Sequence, residues 1–302
     1  MTASQDFLIS DTDADLVRRL VDSQFPQYGH LPIEYAATGW DNVMFRIGSD
    51  LAARFPRREA ALDPQRNEIT WLGTVARPLT TGFPEIIHVA ESTHSFPYPW
   101  TITRWVHGLR AMSVAPQDRT PAAFELGRQL ALLHQPAPEG APVNPYRGLP
   151  LSSREDVLLQ RIKDAPELAE LLPLWNAAIA APPPAMPRTW CHGDIHPGNY
   201  VLGADHTLAA LIDFGDLTSG DPAVDLGNAW ASFDAQGREL FFASYLENCS
   251  PALAADPGLL PRARGWVIAT TIAAVLTSDL STPDFVRMAR WAKAQLLDDM
   301  AG

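Results

Sequence analysis

The 302-residue chain has little of several features that would classify a protein quickly. It has two cysteines, Cys191 and Cys249. That is too few for a disulfide framework, and they lack the paired spacing of a structural zinc site. A reducing, cytoplasmic setting is therefore expected. The opening MTASQDFLISDTDADLVRRL is acidic, with neither the basic start nor the apolar stretch of a signal peptide. The longest apolar run, WVIATTIAAVL over 266–276, falls short of the roughly 20 residues that cross a bilayer. It reads as a buried helix, and no membrane association is expected. Basic charge is also in deficit, with 23 Lys and Arg against 35 Asp and Glu, a net charge of −12. Nucleic acid selects basic surfaces and is not an expected partner. A cleft that concentrates this charge would favour a cationic small molecule. No internal repeat, coiled-coil heptad or G-x-G-x-x-G loop occurs.

What is present suffices for a large core: 46% hydrophobic and 9% aromatic residues over a length that suits two lobes. Residues 10–24 read as an amphipathic helix, with Thr12 as its cap and Leu16, Val17, Leu20 and Val21 on the apolar face. Three strand-like runs come next, IEYAAT, NVMFRIG and LAARFP, joined by the glycine-bearing turns GWD and GSD. PQRNEITWLGTVA predicts a helix with Ile69 and Leu72 inward, and PEIIHVA and WTITRWV predict two more strands. Beyond residue 107 the pattern turns helical. TPAAFELGRQLALLH has Thr120 as N-cap and Pro121 in its first turn, and 154–180 reads as helix again. YVLGADHTLAALIDF reads as a short hairpin, and the chain after about 222 as mostly helix. A sheet-rich first third and a helical remainder predict two lobes.

CHGDIHPGNYVL, residues 191–202, concentrates the polar chemistry. His192, Asp194 and His196 alternate and, in a strand, would share one face as metal ligands. Pro197-Gly198 breaks such a strand, and no second histidine cluster completes a shell. A plain polar turn is the other reading. Neither accounts for the spacing of the downstream residues. His192-x-Asp194 with Asn199 five residues on has the H-x-D-x-x-x-x-N spacing of a kinase catalytic loop, and Asp213-Phe214-Gly215 comes directly after the apolar strand LAALI. Phosphoryl transfer needs a carboxylate beside the attacking hydroxyl and hard oxygen ligands for Mg²⁺ on the nucleotide phosphates. Asp194 fits the first role, and Asn199 and Asp213 the second.

HGDIHPGN with IDFGD resembles the catalytic and metal loops of the aminoglycoside phosphotransferase (APH) family, in which a glycine replaces the protein-kinase arginine. GWDNVMFRIGSDLAARFPRR, LGRQLALLH and DPAVDLGNAW are similar to that family as well, so the resemblance runs from about residue 33 to at least 230. It implies an α+β, protein-kinase-like two-lobed fold: an antiparallel N-terminal nucleotide-binding lobe (1–103), a hinge (104–107) and a mainly helical C-terminal lobe (108–302) for catalysis and acceptor binding. Carried over by position, it implies Asp194 as the catalytic base and Asn199 and Asp213 as Mg²⁺ ligands. His192 becomes a brace of the loop, His196 a packing residue, and Cys191 a buried thiol. Asp221 and Asp225 become anchors of the loop and of a helix start. Arg54 stands where a phosphate-binding lysine is usual, with Glu68 as its ion-pair partner and Arg46 or Arg57 able to share the task. Arginine keeps the charge but differs in reach and fork geometry. Thr38, Gly39 and Asn42 would meet phosphate in place of a glycine-rich loop. The Arg104 carbonyl and Val106 amide would meet the purine.

The expected activity is transfer of the γ-phosphate of ATP or GTP, with Mg²⁺, to a hydroxyl of a small, aminoglycoside-like cationic acceptor, an antibiotic-resistance activity. The alternatives are a macrolide or metabolite hydroxyl kinase, or a nucleotide-binding protein with little catalysis. Glu247, Asp279, Asp284, Asp298 and Asp299 are candidates for holding ammonium groups, although each singly fits a solvated helix face better. Trp230, Trp266 and Trp291 would suit an apolar acceptor but equally fit core packing. No activation segment of protein-kinase length separates Asp213 from DPAVD.

Overall fold

The structure is a computed structural model that describes residues 13–301. Thr12, the expected first cap, lies outside the described residues. The chain divides into two compact units. One takes the described residues up to Arg77 and Gly82–His107, the other Pro78–Thr81 and the chain from Gly108 onward.

The first unit runs helix α1 (Ala14–Gln24), strands β1 (Ile33–Thr38), β2 (Asn42–Ile47) and β3 (Leu51–Pro56), helix α2 (Leu62–Val75), then β4 (Ile86–Ala90) and β5 (Trp100–Arg104). The strands form one antiparallel sheet in the order β1-β2-β3-β5-β4. Strand side chains alternate between faces. Val43, Phe45 and Ile47 therefore share a face with Ala53, Phe55 and Ile102, and this face is buried with Val17, Leu20 and Val21 of α1. Phe55 stacks on Trp100 at 4.7 Å and meets Phe96 edge-on at 5.3 Å. Burying a side chain of this size stabilises by roughly 1.5–3 kcal/mol. The same alternation turns Arg54 to the other face, in register with Met44 and Thr101. There α2 turns Gln65, Glu68, Leu72 and Val75 inward. Ile69, expected inward, is only half-buried. The inward face is rotated toward Glu68 because Arg54 supplies that carboxylate with a buried partner.

The second unit contains β6 (Leu109–Arg110), α3 (Thr120–Leu133), α4 (Glu155–Asp164), α5 (Leu172–Ala180), β7 (Thr189–Cys191), β8 (Tyr200–Leu202), β9 (Leu208–Leu211), β10 (Thr218–Gly220), α6 (Ala235–Asn248), α7 (Leu259–Leu276) and α8 (Pro283–Ala301). A small sheet orders β6-β8-β9, and β7 pairs with β10. β8 and β9 form the hairpin that the sequence predicts. Two helical expectations are corrected, and the buried helix expected over 266–276 is found within a longer one. Thr120 lies inside α3 rather than capping it, and its hydroxyl donates to the Gln117 carbonyl. Residues 154–180 are interrupted, because the residue before Pro166 is disfavoured in a helix. A 3₁₀ stretch, Pro166–Leu171, separates α4 from α5. The apolar run 266–276 is the second half of the 18-residue α7, which is long and apolar enough to cross a membrane but is 61% buried within the protein. Trp266, Val267, Ile268 and Ile272 of α7 are core residues.

Candidate active site

β7 leads into the loop 192–199 and β8 leaves it, while residues 212–217 connect β9 to β10. The Ile212 N–H donates to the Asn199 carbonyl at 2.9 Å, which places the two loops side by side. Buried Asp225 anchors the first loop from below. Its carboxylate accepts the His192 N–H at 2.7 Å, the Gly193 N–H at 2.8 Å and His134 Nε2 at 3.0 Å. A carboxylate only accepts, so His134 donates through Nε2. Its Nδ1 then takes the Tyr245 hydroxyl at 2.8 Å. Burial, then nearby Cys249 and Cys191, keep that phenol protonated by raising its pKa well above the ordinary value. Cys191 is raised likewise, by burial and then by Asp225 and Asp221, so it stays a thiol. The ligand atoms of His134, Cys191 and Asp225 lie within 4.8 Å of one another, but those of His134 and Asp225 are committed to this network and Cys191 Sγ donates to the Thr189 carbonyl at 3.4 Å. Gly193 sits at φ +87°, and a Cβ there would lie 2.2 Å from the Asp216 carbonyl. That close approach accounts for the glycine.

Asp194 is the next residue. Asn199 Nδ2 donates to its carbonyl at 2.8 Å and its carboxylate at 3.2 Å, and Arg147 Nη2 meets Oδ1 at 2.8 Å. His196 Nδ1 accepts the Gly198 N–H at 2.9 Å, which leaves the proton on Nε2, 3.4 Å from Asp194 Oδ2. Burial pushes the Asp194 carboxyl up, but Arg147 and then His196 outweigh it and hold it at about 2. His192 spends Nε2 on the Ile212 carbonyl at 3.0 Å and packs its ring on Phe214 at 4.6 Å. It braces the loop and does not join Asp194 and His196 in a metal shell, so the metal-hydrolase pattern is not built.

Two residues outside every sequence motif complete these surroundings. Asn144 Oδ1 accepts the N–H groups of Tyr146 and Arg147, an Asx turn that delivers Arg147 to Asp194. Its Nδ2 donates to Asp216 at 2.7 Å. Burial and then the Asp194 charge raise the Asp216 carboxyl above its ordinary value. Arg147 and Asn144 lie in the irregular loop NPYRGLP, whose sequence carries no motif or periodicity.

The donor set offered by Asn199 and Asp213 suits magnesium, which takes hard oxygen ligands. The two bonds made by Asn199 Nδ2 fix the amide so that Oδ1 turns away from Asp194. Asp213 adopts φ 64°, ψ 69°, a left-handed conformation that costs of order 1 kcal/mol or more for a non-glycine residue.

In the first unit, Arg54 Nη1 and Glu68 Oε1 meet at 2.6 Å with both side chains more than nine-tenths buried. Thr38, Gly39 and Asn42 lie together at the β1–β2 turn, closed by the Gly39 N–H on the Asn42 carbonyl at 2.8 Å. A Cβ at Gly39 would meet only an ordinary 3.6 Å contact, so the turn does not demand glycine. Arg57 donates to the Gly39 carbonyl at 3.0 Å, and Arg46 lies over the Trp105 ring at 5.3 Å. In 104–107, the Trp105 N–H donates to Asp50, while Val106 N–H makes no hydrogen bond among the described residues. The Arg104 side chain turns to Glu85 at 2.8 Å.

Residues 32–262 match the model of the APH phosphotransferase enzyme family. The chain belongs to this family. No curated protein matches it. Solved structures similar to this phosphotransferase include a GDP complex of aminoglycoside 2'-phosphotransferase-IIIa, 18% identical, with a TM-score of 0.71 over 95% of this chain and 100% of that one. The macrolide 2'-phosphotransferase MphH from Brachybacterium faecium is 20% identical, with a TM-score of 0.60 over 94% and 98%. A streptomycin–ATP complex of APH(2")-IIa is 15% identical, with a TM-score of 0.55 over 95% and 97%. These likenesses establish the two-lobed, kinase-like fold of the phosphotransferase.

The acidic and aromatic acceptor candidates are placed elsewhere. Asp299 is tied to Arg238 at 2.6 Å and to Trp230 Nε1 at 2.8 Å, and Asp284 pairs with Arg287. Glu247, Asp279 and Asp298 are exposed. Trp230 and Trp266 are core side chains, and Trp291 is half-buried. Asp221 accepts the Ala223 N–H at the start of the short helix Ala223–Leu226 and pairs with Arg262 at 2.7 Å.

Proposed function

We propose that this phosphotransferase moves the γ-phosphate of ATP or GTP to a hydroxyl of a small molecule. The observation that carries the reading is the Asp194–Asn199 arrangement, in which one amide nitrogen binds the aspartate and leaves its oxygen free for a cation. Asn199 and Asp213 would hold Mg²⁺, which when bound offsets the charge of the nucleotide phosphates. Arg54, fixed by Glu68, would hold phosphate oxygens. Thr38, Gly39 and Asn42 would add donors, and the Arg104 carbonyl and Val106 amide would take the purine edge. The streptomycin and macrolide enzymes among the structural neighbours support a polyhydroxylated acceptor.

A carboxyl held at about 2 is a weak base. Asp194 therefore orients the acceptor hydroxyl rather than stripping its proton in advance, as the loose transition state of phosphoryl transfer allows. The acceptor oxygen bonds to the γ-phosphorus as the bridging oxygen leaves with the nucleoside diphosphate. The hydroxyl proton departs late, toward Asp194. Positioning and charge stabilisation supply the acceleration.

The test is transfer of labelled phosphate from Mg-ATP and Mg-GTP to a panel of aminoglycosides, macrolides and hydroxylated metabolites. Asp194→Asn should lower transfer by about 10²–10⁴-fold while nucleotide affinity is kept. An unchanged transfer rate in that variant would remove the assignment.

A further inference from the structure

A cavity of about 280 Å³ opens in the second unit where the 146–161 segment faces α7, and three of its lining side chains are Arg147, Arg154 and Arg161. Pockets near 300 Å³ are at the small end of ligand sites and suit one sugar ring or a short-chain compound. Arg154 immediately precedes α4, and Leu158 and Arg161 lie one and two turns further along, so the three share one helix face. Across from them are Ala269, Thr270 and Ala274 of α7, which carry no charge. Arg147 connects the cavity to the chemistry, because it is also the residue bound to Asp194.

The cavity's charge is unbalanced. Asp194 is the one carboxylate within ion-pair distance of any of the three arginines among the described residues. Arg154 uses its guanidinium on the Pro145 carbonyl at 3.2 Å and the Ser153 hydroxyl at 3.3 Å, and lies over the Tyr146 ring at 5.7 Å. Arg161 donates to the Ala269 carbonyl at 3.1 Å. Each guanidinium has five donors, so both keep several for a ligand. Burial, and then the charges of Arg154 and Arg147, lower the pKa of Arg161, as expected for a cation whose own neighbours in the cavity are cations. In a chain of net charge −12, such a concentration of positive charge is local and opposite to the whole.

We propose that the acceptor is an anionic alcohol, whose carboxylate or phosphate sits against Arg154 and Arg161 while its hydroxyl faces Asp194. The inference rests on the phosphotransfer reading of Asp194 and replaces the cationic acceptor that net charge suggested. Arginine forks match carboxylate and phosphate oxygens in pairs and repel ammonium groups.

Titration calorimetry of the intact protein, saturated with a non-hydrolysable Mg-ATP analogue, tests it with four ring compounds of one size class: glucuronate, glucose 6-phosphate, glucose and glucosamine. At least one acid should bind tenfold or more tighter than glucose, with glucosamine weakest. The two acids tell a carboxylate site from a phosphate site. Arg154→Gln, at a half-exposed position, should remove most of that preference. Arg161→Lys, which keeps the charge but not the fork, should weaken acid binding less than Arg161→Gln. Equal binding of all four, no binding of either acid, a preference for glucosamine, or an acid preference indifferent to Arg154→Gln overturns the inference. A parallel transfer assay separates the two readings. Acid binding without phosphate transfer supports the anion site and counts against phosphotransfer. Transfer to kanamycin or glucosamine with a KM unmoved by Arg154→Gln supports phosphotransfer and overturns the anion site.

Discussion

Replacing Asp225 by alanine should loosen the catalytic loop and destabilise the second unit together. Asp225 is 1% exposed and accepts two backbone N–H groups of the loop, at 2.7 and 2.8 Å, as well as His134 at 3.0 Å. Hydrogen bonds to a charged group contribute about 1.5–3 kcal/mol each, and donors left buried without a partner cost a further penalty. The losses are not additive, and breaking a buried charged partnership from one side costs about 3–5 kcal/mol. For units of 150–250 residues each kcal/mol moves a thermal midpoint by about 2–4 °C. Differential scanning fluorimetry should therefore show a drop of roughly 6 °C or more. Asp225→Asn keeps the volume but turns an amide N–H₂ toward a donor, so its midpoint should lie between wild type and alanine. A fall of less than about 2 °C for Asp225→Ala would refute the view that this carboxylate holds the loop.

Arg147→Gln removes the largest influence that lowers the Asp194 carboxyl to about 2. A depressed carboxyl stabilises the fold above its ordinary pKa, and that stability is lost as pH falls toward 2. The wild type should thus show no Asp194 acid limb above about pH 3, whereas the variant's limb should rise to about 4 or higher in a pH–rate profile. Superimposable profiles would contradict this. Arg54→Met strands Glu68 in a buried pair and should cost about 3–5 kcal/mol by denaturant unfolding, more than the Arg54→Met, Glu68→Leu double variant. Gly193→Ala places a Cβ 2.2 Å from the Asp216 carbonyl at φ +87°. It should cost at least about 1–3 kcal/mol and most of the turnover, measured by melting and transfer assays.

The parts of the fold legible in the sequence are those bounded by local turn signals. IEYAAT and LAARFP coincide with β1 and β3, because the glycine-bearing turns GWD and GSD separate the strand-like runs. The position of α2 is legible but its inward face is not, since a buried Glu68 depends on Arg54 of another strand and not on the helix's own apolar residues. The H-x-D-x-x-x-x-N spacing locates Asp194 and Asn199, whose mutual bond is local in the chain. Arg147 lies 47 residues from Asp194 in a loop without period, so its role emerges only when the chain is folded. The net charge points to a cation because composition averages over the surface and conceals the three arginines of one cavity.

The most direct measurement of the phosphotransfer geometry is a crystal structure of the protein with Mg²⁺ and a non-hydrolysable ATP analogue. The expected result is a metal ligated at about 2.0–2.1 Å by Asn199 Oδ1 and an Asp213 carboxylate oxygen, with Asp194 outside the metal's shell. A metal held by Asp194 or Asp216 in place of that pair, or a triphosphate bound away from Asn199, would contradict it.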